Sequence, residues 1–132
     1  MDSEKLIEIS NRVASLPALE ERMEKLTGRL HDAEADVRSL LRKFEAESVD
    51  VEQLKKDSLS VTLLKLIGRY ERKLDKETRE MLNAKLEYDK ACQRADELRN
   101  ERYELGKRIA NLREEKQVYE KELSDRERAI KN

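Results

Sequence analysis

From Leu63 to Ile130, apolar residues recur at alternating steps of four and three, and sixteen of the twenty positions on that frame are apolar. Steps averaging 3.5 residues keep one stripe of an underwound helix facing a partner, so the pattern predicts a long helix in a left-handed coiled coil. An earlier run has the same rhythm: Leu6, Ile9, Val13 and Leu16, then Leu19, Met23, Leu26, Leu30, Ala33, Val37, Leu40 and Phe44. Asp2 or Ser3 can cap its start. Between Leu16 and Leu19 there is an extra step of three, and Pro17 lacks the N–H of the helical ladder and clashes with the preceding turn. A kink or short break is therefore expected near residues 14–17.

From Glu45 to Ser60 the rhythm weakens. Asp50 followed by Gln53 reads as a capping box for a short helix reaching about Lys56, with Val51 and Leu54 as its apolar face. A segment poor in seam residues and rich in caps is where the chain should turn back. The expected fold is all-α: a single domain forming an elongated antiparallel coiled-coil helical hairpin. Arm one covers about 3–46, a short helical tip about 47–66 and arm two about 67–130. If the arms are aligned so that large residues meet small ones, paired residue numbers sum to 114, with Phe44 facing Tyr70, Met23 facing Ala91 and Leu19 facing Ala95. The neighbouring register, with sum 121, sets Phe44 against Glu77 and Leu19 against Arg102.

Two candidate surfaces follow from that alignment. Beyond about Ile109 the second arm would have no partner in its own chain, leaving Leu112, Tyr119, Leu123 and Ile130 to associate with another copy, a homodimer being favoured. At the tip, Leu63 and Ile67 take the core positions, and Leu59, Val61, Leu64 and Leu66 make the apolar face wider than one helix can cover. Either the short helix carrying Val51 and Leu54 folds back over it, or another protein or another copy docks there.

Composition narrows the class. In 132 residues, 45% charged and 4% aromatic, there is little material for a compact core, and a linear seam buries what there is. The 29 basic and 30 acidic residues are interspersed, as on solvated helix faces, which argues against nucleic acid as a partner. Residues 1–50 carry 8 basic and 12 acidic residues, and residues 51–132 carry 21 and 18, so the arms attract each other. Exposed pairs contribute only about 0.2–1 kcal/mol each, so charge selects orientation more than it holds the fold. Cys92 is alone, which fits a reducing compartment. No apolar leader follows Met1 and no run approaches the roughly 18 residues of a membrane span, so a soluble, cytoplasmic protein is expected.

Candidate chemistry is sparse, and neither a catalytic residue, a metal nor a cofactor is expected. His31 lies beside a seam position without a second ligand at metal-binding spacing. Cys92 flanks the seam at Ala91 and has no base placed to activate it. Gly28, Gly68 and Gly106 are isolated in helical pattern and form no phosphate loop. Arg102, Lys116 and Arg126 fall on the seam itself, where long stems can carry charge out to water. The basic runs Arg72-Lys73, Lys107-Arg108 and Arg113 to Lys116 could touch phosphates, but Glu71, Glu104, Glu114 and Glu115 are interleaved with them. A nucleic-acid-associated coiled coil is thus the second reading, after a non-enzymatic structural or protein–protein interaction module.

The stretch from Asp57 through Leu-Ser-Val-Thr-Leu-Leu-Lys-Leu-Ile-Gly-Arg-Tyr to Glu77, followed by Ala84-Lys-Leu-Glu-Tyr-Asp-Lys-Ala, resembles a pattern in uncharacterised bacterial coiled-coil proteins. The resemblance implies bacterial origin and a coiled-coil hairpin, and carries no activity or site residue across. Transcript-cleavage factors also resemble this chain in having a long antiparallel coiled coil with an acidic tip that holds a metal inside RNA polymerase. Asp50, Glu52 and Asp57 are the acidic residues near the tip, but aliphatic residues dominate there and no second globular domain follows.

Overall fold

A computed structural model describes residues 1–47 and 76–131 of the chain. Among them there is no strand, and three helices account for nearly every residue: α1 (Ser3–Val13), α2 (Leu16–Glu47) and α3 (Lys76–Lys131). The short helix expected from Asp50 to Lys56 and the tip residues Leu59, Val61, Leu64 and Leu66 lie outside the described residues.

The break falls where the proline requires it. Asp2 caps α1, its carboxylate accepting from the Lys5 backbone N–H at 2.8 Å. The helix ends with the Ala14 N–H donating to the Ser10 carbonyl at 2.9 Å, while the Ser15 hydroxyl donates to the Arg12 carbonyl at 2.6 Å. Pro17 is then the second residue of α2, inside the first turn, where an amide N–H would have no intrahelical acceptor. The Leu19 N–H reaches back to the Ser15 carbonyl at 3.1 Å, so the new ladder starts around the ring rather than through it.

The chain divides into two units. One comprises Met1–Gly28 with Asn100–Asn132, the other Arg29–Arg99, and α2 and α3 contribute to both. In the first unit, α3 runs antiparallel to α1 and the start of α2: Arg126 donates to the Met1 carbonyl, Arg12 pairs with Glu115 at 3.0 Å, and Glu20 pairs with Arg113 at 3.3 Å. Leu6, Leu16, Leu19 and Leu26 are buried from one side and Leu105, Ile109 and Leu112 from the other. In the second unit Glu34 pairs with Arg99 at 3.7 Å and Lys43 with Glu87 at 3.6 Å, again antiparallel. Its buried residues are Leu30, Ala33 and Phe44 on α2, and Leu82, Ala84, Lys85, Ala95 and Leu98 on α3.

These contacts correct the expected register by about two heptads. A Cβ added at Gly106 would lie 3.5 Å from the Met23 methyl, so Met23 packs over Gly106 and not over Ala91. Phe44 stacks on Tyr88 and not on Tyr70. A heptad seam looks alike after any slip of seven residues, so periodicity alone does not fix it. The large-against-small criterion holds at Met23, but the small partner is a glycine. The observed register also buries Leu112, which the sum-114 alignment leaves bare; full burial of such a side chain contributes roughly 1.5–3 kcal/mol.

Candidate functional site

In the second unit one cluster departs from the aliphatic seam. Lys85 follows the seam residue Ala84 and is 2% exposed, as buried as any leucine among the described residues. Its ammonium donates to Asp89 Oδ1 at 2.8 Å, one helical turn on, and sits 5.5 Å from the Tyr88 ring centroid and 6.0 Å from that of Phe44. The two rings are stacked, with centroids 6.4 Å apart and an interplanar angle of 8°. Helical spacing explains three members, since residues three and four apart share a face. Phe44 comes from the other helix and is fully buried.

Electrostatics in the cluster are uneven. Asp89 Oδ1 is used, whereas the buried Oδ2 has no hydrogen-bond partner. The Tyr88 hydroxyl shares a hydrogen bond with the Cys92 thiol, which pushes the phenol's pKa up from its ordinary value. Burial and the nearby Asp89 and Glu45 carboxylates push it the same way. An ammonium over aromatic faces gains from the ring quadrupoles, so the site can hold a cation, and the cation it holds is the protein's own Lys85. Arg79 Nε is also buried without a partner. Among the described residues no group of His, Cys, Asp and Glu is placed to hold a metal ion.

The other sequence-derived sites are arranged differently from expectation. Leu112 is buried at 7% exposure and Tyr119 is half-buried, whereas Leu123 is 43% and Ile130 85% exposed. The unpartnered stretch does not begin after Ile109. Glu115 meets Arg12, and Tyr119 and Leu123 line a shallow cavity of about 160 Å³ with Leu6, Ile7, Ser10 and Asn11. Arg102 and Lys116 carry their charges into solvent as expected, but Arg126 folds back, donating to Glu122 and to the Met1 carbonyl. His31 is exposed and Cys92 is half-buried. The helix break opens a groove of about 490 Å³ between Val13, Leu16 and Pro17 on one side and Arg113, Lys116 and Glu120 on the other.

The Lys85 cluster was not foreseen from the sequence. Lys85 and Asp89 are a lysine and a carboxylate one turn apart, as are Lys25 and Glu21, whose side chains are 67% and 69% exposed. Only proximity to Phe44 separates the two cases, and that depends on the register. Among the described residues no helix is long and apolar enough to cross a membrane. Comparison of the chain with protein-family models, curated proteins and solved structures gives no match.

Proposed function

We propose that this chain is a non-enzymatic coiled-coil module, an antiparallel helical hairpin that acts as a structural or protein–protein interaction element and associates with a second copy of itself. The observation that carries this reading is the depth of the core. In the first unit Leu19 and Leu26 on one side and Leu105, Ile109 and Leu112 on the other, and in the second Leu30 and Ala33 on one side and Ala95 and Leu98 on the other, are buried at steps of three, four or seven. Such a core is one residue thick, and it specifies helix pairing. Cross-arm ion pairs flank this core in both senses, Glu20–Arg113 and Glu34–Arg99 with the acid on the first arm, Arg12–Glu115 and Lys43–Glu87 with the base there.

The second copy is favoured by apolar side chains left in water at one end of the first unit. Ile7, Val118, Leu123 and Ile130 are 60%, 51%, 43% and 85% exposed, and they continue from the Leu6 layer of the seam. These residues replace Leu112 and Tyr119 as the basis for self-association. Sedimentation equilibrium tests it. A dimer at tens of micromolar that reverts toward monomer on Leu123→Lys/Ile130→Lys supports the reading, and a monomer at that concentration refutes self-association.

A further inference from the structure

A seam of leucine, alanine, valine and isoleucine does not by itself choose a register, because a slip of seven residues exchanges one aliphatic layer for another. Something outside that repeat must choose, and the second unit contains such a thing. Phe44 is the chain's single phenylalanine. It is fully buried, stacked on Tyr88, and has the Lys85 ammonium 6.0 Å from its centroid.

Resting on the hairpin reading above, we propose that Phe44, Lys85 and Tyr88 act as a register key, the contact that admits one pairing of α2 with α3 and excludes those a heptad away. Asp89 and Tyr88 ride on the same helix as Lys85 and accompany it through any slip. Phe44 does not. With α3 moved by one heptad, Lys85 comes opposite Val37, which offers no ring to an ammonium, and Phe44 comes opposite position 78 and loses its stack. A polar residue at one seam position is a known way to specify register at some cost in stability, and the unsatisfied Asp89 Oδ2 is consistent with such a cost. The exposed ion pairs on the seam's edge discriminate less, since Lys43, now paired with Glu87, meets the equally acidic Glu80 after the same slip.

The molecule contains a reporter for the slip. Glu34 pairs with Arg99, and Cys92 lies one heptad before Arg99 on the same face of α3. A cysteine at position 34 therefore meets Cys92 only in the slipped register, whereas Glu34→Cys with Arg99→Cys, in a Cys92→Ser background, reports the observed one. Both chains are oxidised mildly, and the intramolecular disulfide is quantified by peptide mapping of the monomer band. With the natural seam, the 34–99 disulfide should form and the 34–92 disulfide should be at background. Introducing Phe44→Leu or Lys85→Leu, each of which makes the seam more uniformly aliphatic, should raise the 34–92 disulfide by about tenfold or more. Helicity is checked by circular dichroism. The proposal is overturned if 34–92 forms with the natural seam, or if it stays at background in both variants while 34–99 persists. Failure of the 34–99 disulfide with the natural seam would instead count against the hairpin itself.

Discussion

Replacing Asp89 by alanine should damage this protein more than removing the carboxylate of an exposed pair such as Glu21–Lys25. The Lys85 side chain is 2% exposed and its ammonium pairs with Asp89 Oδ1 at 2.8 Å. At an effective dielectric of about 20, that separation corresponds to a gross attraction of about 6 kcal/mol. Desolvation takes back several kcal/mol for each ion, and the unpartnered buried Oδ2 adds a further cost of about 1–3 kcal/mol. The pair as a whole is then close to neutral, but its halves are not independent. Asp89→Ala leaves an uncompensated buried ammonium and should cost about 3–5 kcal/mol. In a Lys85→Met background the same change should cost about 1 kcal/mol or less, because the apolar stem fills the slot beside Phe44 and no charge is stranded. The assay is a double-mutant cycle by urea unfolding, followed by helix circular dichroism at constant m-value. An Asp89→Ala cost below about 1 kcal/mol, or one that is the same with Met at position 85, would show that Lys85 is solvated and that the buried-pair argument is wrong.

Other expectations follow from particular positions. A Cβ at Gly28 meets nothing within 4 Å, so Gly28→Ala should raise stability by about 0.5–1 kcal/mol; a decrease in the urea midpoint would contradict this. Leu112→Ala should cost about 2–5 kcal/mol and Leu123→Ala distinctly less, since the first is buried and the second 43% exposed; equal costs would contradict the observed register. Tyr88 holds its proton more tightly when folded, so its contribution to stability is complete below about pH 10 and is lost as pH rises through its elevated pKa. Ultraviolet titration should show the Tyr88 phenol ionising late and moving back toward the ordinary range in Cys92→Ala.

The all-helical class and the interruption before Pro17 are legible in the sequence because each depends on local spacing. A proline's missing N–H and a 3.5-residue period act within a few turns. Register is different. It depends on which of several nearly equivalent alignments is lowest, and the differences lie in single layers such as Met23 over Gly106 and Phe44 on Tyr88. With the turn expected at Glu45–Ser60, matching large residues to small ones selects the sum-114 alignment, in which Met23 meets Ala91 rather than the smaller Gly106. That alignment leaves Leu112 bare and sets Phe44 against Tyr70, away from Lys85 and Tyr88, so it contains no such cluster. The net opposite charges of the arms do not select the pairs either, since Arg12–Glu115 and Lys43–Glu87 run in the opposite sense to Glu20–Arg113 and Glu34–Arg99.

The break after Val13 also divides the molecule kinetically. A helix of 11 residues is too short to persist alone in water, and α1 has one buried side chain, Leu6, with exposed ion pairs such as Arg12–Glu115. Because Ala14 and Ser15 interrupt the ladder, α1 can open without unwinding α2. Its amide hydrogens should therefore exchange through a local opening of small free energy, while those around Leu26, Leu30 and Leu98 wait for global unfolding. Each such opening bares Tyr119 and Leu123 on α3. The helix break thus sets how often that end of α3 is laid open to water, through the opening of eleven residues rather than of the longer helices.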